Sequence, residues 1–190
     1  YLAIVWRAVE PPSPQPWERY GYYGTMPLQI LENALSIARD DAERSKAHYY
    51  LATTLARTGD PIQAERTPGE FEAALAAGRS APFYDDALFE YATFLANAGR
   101  VVYGEDGNWR RARDYPRALE LYRRLLSEFA KGQTAYWDEA RGAVDAITKP
   151  SVQVAVPNIF LPGAEVEYSL AWRNVARVEL ALYRLDLPAD

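Results

Sequence analysis

Residues 47–60, AHYYLATTLARTGD, and residues 87–100, ALFEYATFLANAGR, decide the fold. Laid on each other without a gap they agree at six of fourteen positions: Ala47/Ala87, Ala52/Ala92, Thr53/Thr93, Leu55/Leu95, Ala56/Ala96 and Gly59/Gly99. Chance gives about one or two matches in sequence this rich in alanine, so the stretches are copies of one unit. In each copy large residues and alanine recur at i, i+3, i+4 and i+7: His48, Leu51, Ala52, Leu55, then Leu88, Tyr91, Ala92, Leu95. That spacing lays them along one helix face. The closing glycine suits the left-handed residue on which helices end.

A second helix is predicted after each copy. Asp114-Tyr115-Pro116 opens one with an N-cap and an early proline, and Ala118, Leu121, Tyr122, Leu125 and Leu126 form its apolar stripe. Its counterpart spans residues 68–77, with Phe71, Ala74 and Leu75 inward. Further helices are predicted over 27–39 and 135–148. Pro27, Pro61, Pro68, Pro82, Pro116 and Pro150 all fall at the ends or first turns of these segments, where a missing N–H costs nothing.

These residues resemble the tetratricopeptide repeat: a bulky then a small residue on the first helix, glycine at the turn, alanine and an aromatic on the second helix, and a closing proline. Leu88, Tyr91, Ala92, Leu95 and Gly99, then Ala118, Tyr122 and Leu125, stand in that order, with Pro82 closing the preceding unit. Residues 60–67 and 100–113 depart from the pattern as insertions, and Ala130 stands where the last proline belongs. The resemblance covers roughly residues 27–148 and implies antiparallel helix pairs stacked as a superhelix. It also implies a concave groove lined by the first helices. By the repeat register the groove positions are Tyr49, Thr53 and Arg57 in one unit and Phe89, Thr93 and Asn97 in the next, a mixture of aromatic and polar groups suited to a peptide.

After Pro150 the period becomes two. Val152, Val154 and Val156 alternate with Gln153 and Ala155; Val166, Tyr168, Leu170 and Trp172 alternate with Glu165, Glu167, Ser169 and Ala171; Val178, Leu180 and Leu182 alternate with Arg177, Glu179, Ala181 and Tyr183. Residues 157–163 are predicted as a turn region. Arg173-Asn174-Val175 is predicted as a hairpin loop that pairs strand 166–172 with strand 177–185. Three strands are too few to close a sandwich, which needs about seven. Phe160-Leu161-Pro162-Gly163, Arg173-Asn174-Val175 and residues 180–187, LALYRLDL, resemble the opening of a macroglobulin domain of bacterial α2-macroglobulin-like proteins. That resemblance implies a periplasmic or cell-surface location, and that the chain is a segment of a larger exported protein of a protease-inhibitor family. The family's Cys–Gln thioester is not carried over, because the chain has no cysteine.

The expected organisation is therefore a helix end and proline-rich linker over 1–26, helical repeats over 27–149, and the start of a β-sandwich over 150–190. The fold class is mostly α, with a small C-terminal antiparallel β element. The net charge of -5 excludes a basic field for nucleic acid. No apolar run approaches the roughly 18 residues of a membrane span, and Tyr1–Trp6 lacks the marks of a signal peptide.

Other chemistry-bearing residues have structural explanations. His48, the sole histidine, fills the bulky position of Leu88, which makes it a packed side chain, and one histidine without cysteine offers zinc little. Asp40-Asp41, Asp85-Asp86 and Asp138-Glu139 fall at helix starts, where acids complement the macrodipole. Tyr103-Gly104-Glu105-Asp106-Gly107-Asn108-Trp109 lacks EF-hand spacing and fits an inserted hairpin. Arg110, Arg111, Arg113, Arg117, Arg123 and Arg124 form the basic cluster, a solvated face or, in its first four residues, a patch for an acidic partner. Phosphate loops, nucleophile elbows and zinc-protease motifs do not occur. The expected partner is a protein, a peptide or a neighbouring domain, without metal or cofactor. Three roles stay open: a spacer in a macroglobulin-like protein, a free-standing peptide adaptor, or an accessory domain of an enzyme.

Overall fold

The helical part consists of α1 (Leu28–Ser36), α2 (Asp41–Ala56), α3 (Pro61–Ala64), α4 (Thr67–Ala76) and α5 (Tyr84–Asn97), a hairpin of β1 (Arg100–Tyr103) and β2 (Trp109–Ala112), then α6 (Tyr115–Glu128) and α7 (Trp137–Thr148). A ribbon of β3 (Ser151–Ala155) and β4 (Ser169–Arg173) follows. The computed structural model describes residues 28–156 and 165–181. The chain divides into two compact units between Val144 and Asp145, inside α7.

Local chemistry sets the helix starts. The Asp40 side chain accepts from the Glu43 N–H at 2.8 Å, Asp60 from Ile62 at 2.9 Å, and Asp114 from Arg117 at 3.1 Å. Each such cap is worth about 1 kcal/mol. Prolines stand in the first turns of α3, α4 and α6. The three acidic pairs all lie at helix starts, Asp40 as a cap and the rest in first turns.

The two predicted faces carry the core. Leu51, Ala52 and Leu55 on α2, Phe71 and Ala74 on α4, Leu88, Ala92 and Leu95 on α5, and Leu121 and Leu125 on α6 are essentially inaccessible to solvent. α2 runs antiparallel to α4: the Ser45 hydroxyl donates to the Ala74 carbonyl at 2.7 Å, and His48 Nδ1 donates to Glu70 Oε2 at 2.7 Å, one turn along each helix in opposite senses. α5 and α6 pair in the same way, through Tyr84 with Arg124 at one end and Thr93 with Tyr122 further along. Phe71 on α4 stacks on Tyr91 on α5 at 5.1 Å and joins the two pairs.

The two closing glycines differ. Gly99 is left-handed at φ 78°, and a Cβ there would lie 2.5 Å from the Ala112 carbonyl as the hairpin returns. Only glycine tolerates that approach. Gly59 has no left-handed φ, because α2 ends in tighter turns in which the Arg57 and Thr58 N–H groups reach Thr54 and Leu55. The stretch expected as an insertion over 100–113 is the antiparallel hairpin, in register Tyr103↔Trp109 and Arg100↔Ala112.

In the second unit the expected strand pairing is corrected. β4 pairs with β3, in register Val152↔Trp172 and Val154↔Leu170, and not with the stretch after Asn174. Residues 177–181 form no strand, and the rest of the expected partner, 182–185, lies outside the described residues, as do 1–27 and the turn at 157–163. Asn174, directly after β4, has φ 54°, and its side-chain amide donates to the carbonyls of Ile147 at 2.6 Å and Lys149 at 3.4 Å. It thereby supplies a donor at the end of α7, where orphan carbonyls need them.

Candidate functional site

Alternate turns of α2 and α5 bring Thr53, Arg57, Thr93 and Asn97 to the walls of one cleft of about 210 Å³. Ala56, Glu90, Phe94 and Ala98 complete the walls, and Phe71 reaches in from α4. Four of the six groove positions expected from the repeat register therefore converge. The volume is below the roughly 300–1,000 Å³ of a pocket for a drug-sized ligand or cofactor. At about 30 Å³ per water it holds on the order of seven waters, the space of one side chain.

Tyr49 and Phe89 are placed elsewhere. Tyr49 stacks almost parallel on Phe83, centroids 5.0 Å apart and planes 7° apart. Phe89 stacks on Tyr136 at 4.6 Å and 14°, and leans on Tyr122 of α6. Phe83 immediately precedes α5 and Tyr136 immediately precedes α7, so the same joint occurs twice: an aromatic from within one helix lies on the residue ahead of a later helix. Both rings are half-buried in these joints and do not line the cleft.

The polar groups of the cleft are unevenly satisfied. The Thr53 hydroxyl donates to the Tyr50 carbonyl at 3.2 Å, and Thr93 Oγ1 shares a hydrogen bond with the Tyr122 hydroxyl at 3.0 Å. Asn97 accepts from Arg113 through its main-chain carbonyl, at 3.1 Å. Glu90 is different: among the described residues its carboxylate accepts no hydrogen bond. Burial raises its carboxyl above the ordinary range; the charge of Arg57 works against this rise, while Asp86 and Glu139 add to it. Asp86 accepts from the Tyr136 hydroxyl at 2.6 Å, and burial together with that bond pushes the Tyr136 phenol well up. Glu90 was not among the expected site residues. The signal was available, because in the repeat register it replaces the buried Tyr50 with a carboxylate.

The expected basic patch is dispersed. Arg110 pairs with Asp106 at 2.9 Å, Arg113 donates to the Asn97 carbonyl and the Tyr115 hydroxyl, and Arg117 pairs with Glu72 and Glu120 at 2.7 Å each. Arg111 alone of the four has neither an ion pair nor a side-chain hydrogen bond among the described residues. A guanidinium has five donors, and the capped start of α6 and the hairpin supply acceptors for three of these arginines. His48 is half-packed, with Glu70 as its partner. Burial works against charge on Glu70, yet the bonds and charges of His48 and Arg66 hold its carboxyl below the usual range.

In the second unit the ribbon is two-faced. Val152, Val154, Leu170 and Trp172 share one face, and Ser151, Gln153, Ala155, Ser169, Ala171 and Arg173 the other. On the apolar face Val152 is 48% and Trp172 59% exposed. Among the described residues no helix is long and apolar enough to cross a membrane. No family of known proteins matches the chain, and no curated protein or solved structure is similar to it.

Proposed function

We propose that the chain is a non-catalytic protein-interaction and spacer module, built on tetratricopeptide-type helix pairs, within a larger macroglobulin-like exported protein. The observation that carries the interaction part is the cleft between α2 and α5, where Thr53, Arg57, Thr93 and Asn97 meet around the Glu90 carboxylate, which accepts no hydrogen bond among the described residues. Two helices present matching positions to one side-chain-sized space, which is how a peptide is held by its side chains. The twice-used aromatic joint supports the repeat character.

The ribbon supports the β-sandwich part. Two strands alone are marginal in water, and an apolar face of this kind is what a sandwich buries against a second sheet. The exposed Val152, Val154 and Trp172 are consistent with strands belonging to such a sandwich.

A photo-crosslinking amino acid at Asn97, introduced into the full native protein, tests the interaction part. Adducts to polypeptide, either a neighbouring domain or a separate protein, are expected; their absence overturns it. The mass and cell fraction of the native gene product test the rest. A product ending near Asp190, or retained in the cytoplasm, removes the macroglobulin part and leaves a free-standing peptide adaptor.

A further inference from the structure

We infer that the α2–α5 cleft takes a lysine or arginine side chain of its peptide partner, with Glu90 as the acceptor and Phe71 and Phe94 against the aliphatic stem. The inference rests on the protein-interaction reading and adds the chemistry of the occupant. Three observations select a cation. First, the Glu90 carboxylate accepts no hydrogen bond among the described residues, and a partly buried carboxylate without donors is costly. Second, the local charge is negative: Glu90, Asp86 and Glu139 act together, against the single guanidinium of Arg57. Third, the space is small, and beside its polar groups it carries two rings and two alanine methyls, Phe71, Phe94, Ala56 and Ala98, against which a methylene stem can lie.

Arg57 is exposed and, among the described residues, supplies the cation that acts on Glu90. It competes for the same carboxylate, so a bound lysine displaces its influence. The Asn97 side-chain amide and the lone pairs of Thr53 Oγ1 lie on the same walls and add neutral contacts to an ammonium or guanidinium head.

The test is a titration of the 190-residue chain, followed by amide chemical shifts, with three acetylated and amidated peptides that differ at one central residue: lysine, norleucine or glutamate. The lysine peptide is expected to shift Thr53, Glu90, Thr93 and Asn97 saturably, and to bind at least about tenfold more tightly than the other two. Glu90→Gln, an isosteric change, is expected to remove that preference while leaving norleucine binding unchanged. Arg57→Ala is expected to strengthen lysine binding.

Norleucine or glutamate binding as tightly as lysine at these residues overturns the cation assignment but leaves a peptide groove. A preference for lysine that survives Glu90→Gln, or lysine binding weakened by Arg57→Ala, overturns the role of Glu90. Shifts with none of the peptides overturn the inference; crosslinking at Asn97 in the native protein then decides separately whether the interaction module stands.

Discussion

Two glutamates of the helical unit are predicted to respond to pH in opposite ways. Glu70, on α4, has a carboxyl held below its ordinary value by His48 and Arg66. A depressed carboxyl contributes stability at pH above its unfolded value, and that contribution is lost as pH falls through the folded value. Glu90, on α5, has a raised carboxyl, and burial is the main cause. Its contribution is favourable below the unfolded value and is lost as pH rises through the folded one. Arg57 on α2, Asp86 on α5 itself and Glu139 on α7 are the charged groups acting on it. At about pH 7 Glu70→Gln is therefore expected to lower the melting temperature and Glu90→Gln to raise it. Both differences should shrink towards about pH 4, near the ordinary range of a glutamate. Thermal melts across that interval check both signs, and a Glu90→Gln less stable than the parent at neutral pH contradicts the account. Thr67 offers a third test at this scale. It is fully buried, and among the described residues its hydroxyl has no hydrogen-bond partner. Thr67→Val keeps the shape and removes an uncompensated polar atom, so urea denaturation should show a gain of roughly 1 kcal/mol.

The helices hold together through small residues at close contacts and rings at joints. Ala52 and Ala92 occupy the same place in the two copies, and neither is accessible to solvent. A leucine at position 92 overpacks the contact, with an expected loss of about 1–3 kcal/mol by denaturation. A variant as stable as the parent would mean that the helices have room there, against the burial seen. The joints make a pairwise prediction. Phe89 and Tyr136 stack at 4.6 Å, so a double-mutant cycle with alanine at each should return a coupling of about 0.5–1.5 kcal/mol. The same cycle on Tyr49 and Phe83, at 5.0 Å, should return a similar value, because the geometry recurs. Helix ends and faces were legible in the sequence because caps, prolines and the 3.6-residue period act within one helix. The joints were not, since Tyr49 and Phe89 find their stacking partners outside their own helices, which no local period reveals.

For the molecule as a whole, the two units present different surfaces. The helical unit buries most of its large apolar residues, leaving Ile62 and Tyr103 among those exposed, and offers a small cleft of mixed apolar and polar lining. The second unit exposes Val152, Val154 and Trp172 on one face of a two-stranded ribbon. Exposed apolar patches bind hydrophobic dyes and promote association. Val154→Ser together with Trp172→Ser is therefore expected to reduce anilinonaphthalene sulfonate fluorescence and to shift sedimentation towards the monomer. Unchanged dye binding would show that this face is covered in solution.

The sequence by itself determined the longer helices, their inward faces, the inserted hairpin and the change of period after Pro150, because each depends on the spacing of residues within one element; the short α3 lies in the stretch 60–67 expected as an insertion. Only the tertiary structure decided which strand β4 pairs with, since its partner β3 lies fourteen residues earlier in the chain and both carry the same period. It also decided that most of the arginine cluster pairs within the fold, and that Glu90 lines a cleft without a hydrogen bond from the described residues. Those outcomes depend on where distant donors and acceptors come to rest, which is set by packing between elements and not by the order of residues along any one of them.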